Sequence, residues 1–304
     1  MSLNNGKLTR EDLERLLEQK LVNLKELENV GKGSNYIQEL SDIALIQLQL
    51  EQYSKSEENY LVCLTYFIKS KERFGQAAVY GVLGALYYKK KEFLKSVEFY
   101  EKAFDIYKEP NQIQEQITCL KGIGNSYIKL HKWDEASTTL LDCSAICSDN
   151  NDIYNLLDCF GNLIYIYEIN EEWDMVFELY KKTLKAFKEI RDEKGVITSY
   201  FNLGIIEKKR DKLEEAVRYF KKGTNIAIES NYAESIIKGL SYVGEALFYL
   251  GRRREAKDQF LKALHIANEL KAENAILQLK VLLQSLGLSI DEILHELREY
   301  KKTK

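Results

Sequence analysis

The sequence predicts an all-α chain, a right-handed α-solenoid of six consecutive 40-residue helix hairpins with capping helices at both ends. Three observations carry this reading. Residue columns recur every 40 positions without insertion, and the apolar residues between them keep helical spacing. Pro110 is the single proline in 304 residues, as suits a chain made almost wholly of helix.

Residues 9–30 form the first element, an amphipathic helix opened by the capping pair Thr9 and Asp12. A polar break, Gly31-Lys32-Gly33-Ser34, follows; it lacks the spacing of a phosphate-binding loop and reads as a hinge. The repeats then occupy 35–270, between an N-terminal cap at 1–34 and a C-terminal cap at 271–304. Their small-residue column runs Ala44, Gly84, Gly124, Ile164, Gly204 and Gly244, near the middle of each first helix. A second runs Ser56, Ser96, Ala136, Val176, Ala216 and Ala256. An aromatic column, Tyr60, Tyr100, Leu140, Tyr180, Phe220 and Phe260, lies beside them. Small residues let two helices cross closely, and the large residue fills the space they leave. Repeat four carries Ile164 and Val176 at two small positions, so its helices are expected to sit further apart. Residues 273–286 match the first helix of a seventh unit, and Ser289 with Glu292 opens a last helix to about Lys302.

Leu203-Gly204 in a first helix, and Ala216, Phe220 and Gly223 in the second, resemble the tetratricopeptide repeat across about residues 35–270. The unit here is longer than the usual 34 residues, and polar turns such as Lys108-Glu109-Pro110-Asn111 and Ser148-Asp149-Asn150-Asn151 replace the usual terminal proline. The 40-residue period is similar to the repeats of kinesin light chains and spindle-orientation adaptors. It is equally similar to the Gram-positive peptide-pheromone receptors of the Rap, NprR and PlcR group, in which inner-helix asparagines hold a short peptide. Those receptors place an output module before the repeats, whereas residues 1–34 supply one helix.

The resemblance implies that first helices line a concave groove. Groove positions then include Asp158, Thr198 and Lys238, Asn162, Asn202 and Tyr242, and Asn125 and Tyr165. Asparagine is costly inside a helix, but its amide both donates to and accepts from an extended backbone. Lys121, Asn125 and Asn162 match part of the carboxylate clamp of chaperone-binding repeats; Thr198 and Asn202 stand where that clamp carries Lys and Arg. The expected activity is binding of a protein or peptide, either as a scaffold or as a peptide-sensing regulator whose superhelix changes pitch.

Neither catalysis nor a cofactor is expected. His131, His265 and His295 lie far apart, and no carboxylate pair falls in an apolar stretch. Cys143 and Cys147 are four apart, and Cys119 and Cys159 share a column, but there is no Cys-x-x-Cys. Cys63 and Cys143 fill a small-residue column, so packing rather than metal binding is expected of the thiols. A net charge of −3 gives no general attraction to nucleic acid or an anionic membrane. No apolar run approaches a bilayer span, the residues before Leu8 lack a signal peptide's apolar stretch, and five cysteines in a Lys/Glu-rich chain suit the reducing cytoplasm. Basic clusters at Lys89-Lys90-Lys91, Lys129 with Lys132, Lys208-Lys209-Arg210 and Arg252-Arg253-Arg254 share an edge, which Glu168, Glu171 and Glu172 interrupt. Cations favour helix C-termini, which accounts for them without a ligand; an acidic partner is the alternative.

Overall fold

A computed structural model of the chain describes residues 8–109 and 112–302, with side chains through residue 299. The polar stretch before Leu8, and Pro110 and Asn111 of the second repeat's turn, lie outside the described residues. Those described form fifteen helices and no strand. Helix α1 (Arg10–Val30) precedes hairpins that pair α2 (Ser34–Gln49) with α3 (Tyr53–Lys69), and α4 (Arg73–Lys89) with α5 (Phe93–Tyr107). Next come α6 (Ile113–Lys129) with α7 (Trp133–Asp149), and α8 (Ile153–Ile169) with α9 (Trp173–Glu189). Then follow α10 (Glu193–Lys209) with α11 (Leu213–Glu229), and α12 (Ala233–Tyr249) with α13 (Arg253–Glu269). Helices α14 (Glu273–Ser285) and α15 (Ile290–Lys302) come last. The chain is an all-α solenoid that divides into two compact units, residues 1–159 and 160–304, with the division inside α8.

One device ends nearly every helix. Left-handed residues recur every 20 positions, from Glu51, Lys71 and Lys91 to Asn231 and Lys271, with φ between 53° and 62°. The N–H after each reaches back to a carbonyl five residues earlier, as from Glu92 to Tyr87 at 2.9 Å and from Lys212 to Glu207 at 2.8 Å. This satisfies carbonyls that the helix end leaves unpaired. A 17-residue helix plus a three-residue link makes 20 residues, as from α9 into α10. Two such steps make the 40-residue unit without a terminal proline. Gly251 is the one glycine in this series of left-handed positions among the described residues.

Within a hairpin the two small columns and the aromatic column close on one another. A Cβ at Gly204 would lie 2.5 Å from the Phe220 ring, and one at Gly244 would lie 2.4 Å from Phe260. Serine in the second column does more than stay small. Ser56 donates to the Ala44 carbonyl at 2.7 Å, and Ser96 donates to the Gly84 carbonyl at 2.8 Å. Ile164 and Val176 are buried and Tyr180 is partly exposed, whereas Tyr60, Phe220 and Phe260 are at most 2% exposed. Both terminal caps form. Thr9 and Asp12 exchange hydrogen bonds, as do Ser289 and Glu292, and Lys20 ties α1 to Glu39 and Asp42 of α2 at 2.9 and 2.7 Å.

One ion pair between repeats one and two ties stability to pH. Glu57 on α3 accepts from Tyr87 at 2.5 Å and from Lys90 at 2.7 Å. Burial pushes the Glu57 carboxyl up, but these two donors outweigh it and hold it below the ordinary value of 4.5. Burial and then the Glu57 carboxylate push the Tyr87 hydroxyl up to about 12. Because Glu57 titrates lower when folded, its contribution is fully present above pH 4.5 and is lost as pH falls through the folded value. Glu57→Gln is therefore expected to lower the urea midpoint at neutral pH and to narrow its gap to wild type below about pH 4. An equal gap at both pH values would remove this role from Glu57.

Candidate functional site

Each expected binding residue lies on a first helix: Lys121 and Asn125 on α6, Asp158, Asn162 and Tyr165 on α8, Thr198 and Asn202 on α10, and Lys238 and Tyr242 on α12. None is buried. Asp158, Tyr165, Thr198 and Lys238 are exposed, and the others are half-buried. This follows from the columns: the buried stripe takes Leu203, Gly204 and Ile206, which leaves Thr198 and Asn202 outside it.

In the first unit, Lys121 is already engaged. Its ammonium donates to Asn155 at 2.8 Å and to Asp158 at 2.6 Å. Asp152 fixes Asn155 in turn, accepting from its amide at 2.8 Å and from Gln114 at 2.9 Å. Those hydrogen bonds, Asn155's first, hold the Asp152 carboxyl below its ordinary range. The sequence matched Lys121 to one part of a carboxylate clamp whose other cations are replaced; the fold pairs it with Asp158, 37 residues on.

The second unit is organised differently. Tyr242 stands edge-on to Phe201 at 5.7 Å and tilted against Phe220 at 5.0 Å, with the Lys238 ammonium 5.7 Å from its ring centre. The tyrosine is thus part lid on the core and part wall of a cleft. That cleft, of about 760 Å³ between α12 and α14, is lined by Lys238, Tyr242, Glu234, Leu277, Gln278 and Val281, among others. Its size falls in the range of ligand pockets. Leu277 is 65% and Val281 57% exposed, one turn apart on α14. Their contribution escaped the sequence analysis, which gave α14 to the cap. The available signal was a pair of apolar residues at i, i+4 outside the buried stripe of Leu279 and Leu283.

The basic edge is neutralised in part from within. Lys90 pairs with Glu57 and Glu92, Arg210 with Asp174 and Glu207, and Arg252 with Glu214 and Glu255. Lys132 pairs with Glu135 and Lys208 with Glu245. The histidines stay apart: His131 packs edge-on against Trp133 in a turn, while His265 is buried on α13 beside Glu269. Among the described residues, no helix is long and apolar enough to cross a membrane.

The tetratricopeptide repeat family model matches two stretches of the chain, residues 77–110 and 197–227. Regulatory protein RapD of Bacillus subtilis (strain 168) is 28% identical over 149 residues, which are 49% of this chain and 42% of RapD. The match thus spans less than half the length of that relative. The crystal structure of BtubC (BKLC) from P. vanneervenii is similar with a TM-score of 0.54 at 17% identity, covering 72% of this chain and 92% of that one. The apo form of RapI is similar with a TM-score of 0.52 at 16% identity, covering 88% and 99%. At such identities the solved structures show a shared fold. The chain carries tetratricopeptide repeats and resembles the Rap regulators.

Proposed function

We propose that the chain is a non-enzymatic binding module that takes an extended peptide on the first helices of its second unit. The observation that carries this reading is the α12–α14 cleft, where Lys238 and Tyr242 face the exposed Leu277 and Val281. An apolar peptide side chain seated there leaves the peptide backbone to be met by the amides of Asn162 and Asn202, with Tyr165 and Thr198 beside them. The charges of Lys121 and Asp158 are spent on each other, so their part, and that of Asn125, is secondary. Paired cations along the edge argue against nucleic acid, and five free thiols favour a reducing, cytoplasmic setting.

Selecting from a phage-displayed library of random heptapeptides supplies the probe for a direct test. Asn162→Ala with Asn202→Ala is expected to weaken a selected peptide about 10- to 100-fold, two hydrogen bonds' worth. Leu277→Asp, at a site too exposed to disturb the fold, is expected to weaken it comparably. If nothing is enriched, or if both proteins bind a selected peptide like wild type, the site lies elsewhere. Similarity to RapD, a regulatory protein, favours the finer reading that a peptide also changes the solenoid's conformation. Small-angle scattering with the same peptide decides it: a smaller radius of gyration supports regulation, and an unchanged one supports a static scaffold.

A further inference from the structure

Three of the five cysteines converge. Cys143 and Cys147 lie one turn apart on α7 and Cys159 lies on α8, with all three sulfurs within 4.8 Å of one another. Each residue is 0% exposed. Cys63 and Cys119 are buried elsewhere and stay outside the cluster.

Packing explains two of the three, since Cys159 shares the column of the buried Cys119. Cys143 occupies the column of Cys63, and both thiols point at a carbonyl of the preceding helix, Ile117 for Cys143 at 3.8 Å and Ile37 for Cys63 at 3.7 Å. Cys147 is different. Its counterparts are Phe67, Tyr107 and Phe187 in repeats one, two and four, and Ala227 and Ala267 in repeats five and six. In two of those repeats the ring seals against a glycine eight residues on, Phe67 over Gly75 and Phe187 over Gly195. In repeat three the ring is absent, and the glycine's place is taken by Asn155, which holds the Lys121 ammonium. The aromatic seal of the core is replaced here by a thiol, beside two other thiols and under a cation.

We infer that Cys143, Cys147 and Cys159 form a buried three-coordinate site for a soft monovalent cation of the Cu(I) class. All-sulfur donors select thiophilic ions. Metal–sulfur bonds of about 2.3 Å in a trigonal plane need sulfurs about 4.0 Å apart, within the 4.8 Å that bounds the present triangle. Structural zinc takes four ligands; among the described residues no histidine or carboxylate completes the group. Binding balances as Cu⁺ plus three thiols giving a three-thiolate complex, with three protons released. The complex carries two negative charges, one of which Lys121 offsets in a site that excludes water.

The test is an anaerobic titration of the reduced full-length chain with Cu(I), competed by a chelating dye for Cu(I), with Zn(II) run in parallel. About one equivalent of Cu(I) is expected, with a thiolate-to-copper ultraviolet band and X-ray absorption showing sulfur neighbours at about 2.3 Å. The repeats themselves supply tolerated replacements: Ala227 and Ala267 fill the Cys147 column, and Ser199 fills that of Cys159. Cys147→Ala and Cys159→Ser should therefore keep wild-type helicity, and each should weaken Cu(I) by more than about 100-fold, beyond the usual cost of losing an outer-shell partner. Cys119→Ala should bind as wild type. Wild-type affinity in Cys147→Ala, no retention against the dye, or tighter Zn(II) than Cu(I) binding would each overturn the assignment.

Discussion

A Phe220→Ala chain is expected to unfold about 3–5 kcal/mol more easily than wild type, read as a drop in the urea midpoint of helical circular dichroism. The ring is 1% exposed in a core shared by α10, α11 and α12, and it faces Gly204, where a Cβ would stand 2.5 Å away. Alanine leaves a cavity that the surrounding helices close only by moving against each other. The reverse change is costly for the same reason: Gly204→Leu drives a side chain into a rigid ring and is expected to cost about 1–3 kcal/mol or more. Together the changes exchange bulk across the contact, and the double variant should be markedly more stable than the sum of the two losses. Strict additivity would show that glycine and ring are not complementary. Since each repeat leans on its neighbours, the loss should spread through the second unit rather than stay in one hairpin.

Arg210→Met is expected to cost about 3 kcal/mol by the same measurement, because it strands a buried carboxylate. Glu207 is 4% exposed, and one of its oxygens already lacks a hydrogen-bond partner among the described residues. Arg210 serves the other at 3.1 Å and lies over the Phe177 ring at 4.7 Å. Its bond to Asp174 at 2.6 Å adds little, since that side chain is 85% exposed. The thioether keeps much of the packing on Phe177 and removes the charge. Adding Glu207→Gln should restore most of the loss, as the stranded charge disappears with it. If Arg210→Met is neutral, the pair contributes no net stability.

These two cases differ in how far the sequence exposed them. The glycine and aromatic columns, 16 positions apart within each hairpin, announce which residues must meet, and Gly204 meets Phe220 as the columns require. Both capping boxes were equally legible, being four-residue motifs. Repeat four was legible as an anomaly, but the partial exposure of its Tyr180 was not. The Arg210 pair was hidden within a basic cluster that looked like a solvated edge. The expected binding residues fall between these extremes: periodicity places all nine off the buried stripe, yet gave no sign that Lys121 would be spent on Asp158 or that Tyr242 would lean on Phe201 and Phe220.

By itself the sequence determined the helix hairpins, their period, their caps and the face each helix buries. Those depend on residues within one hairpin, where fixed helical geometry turns spacing into position. Tertiary structure decided what crosses from one hairpin to the next. It gave Lys121 its partners, made α14 one wall of a cleft, and gathered Cys143, Cys147 and Cys159 into one cluster. Such contacts depend on how neighbouring hairpins stack and on where long side chains come to rest, and a repeat period carries neither.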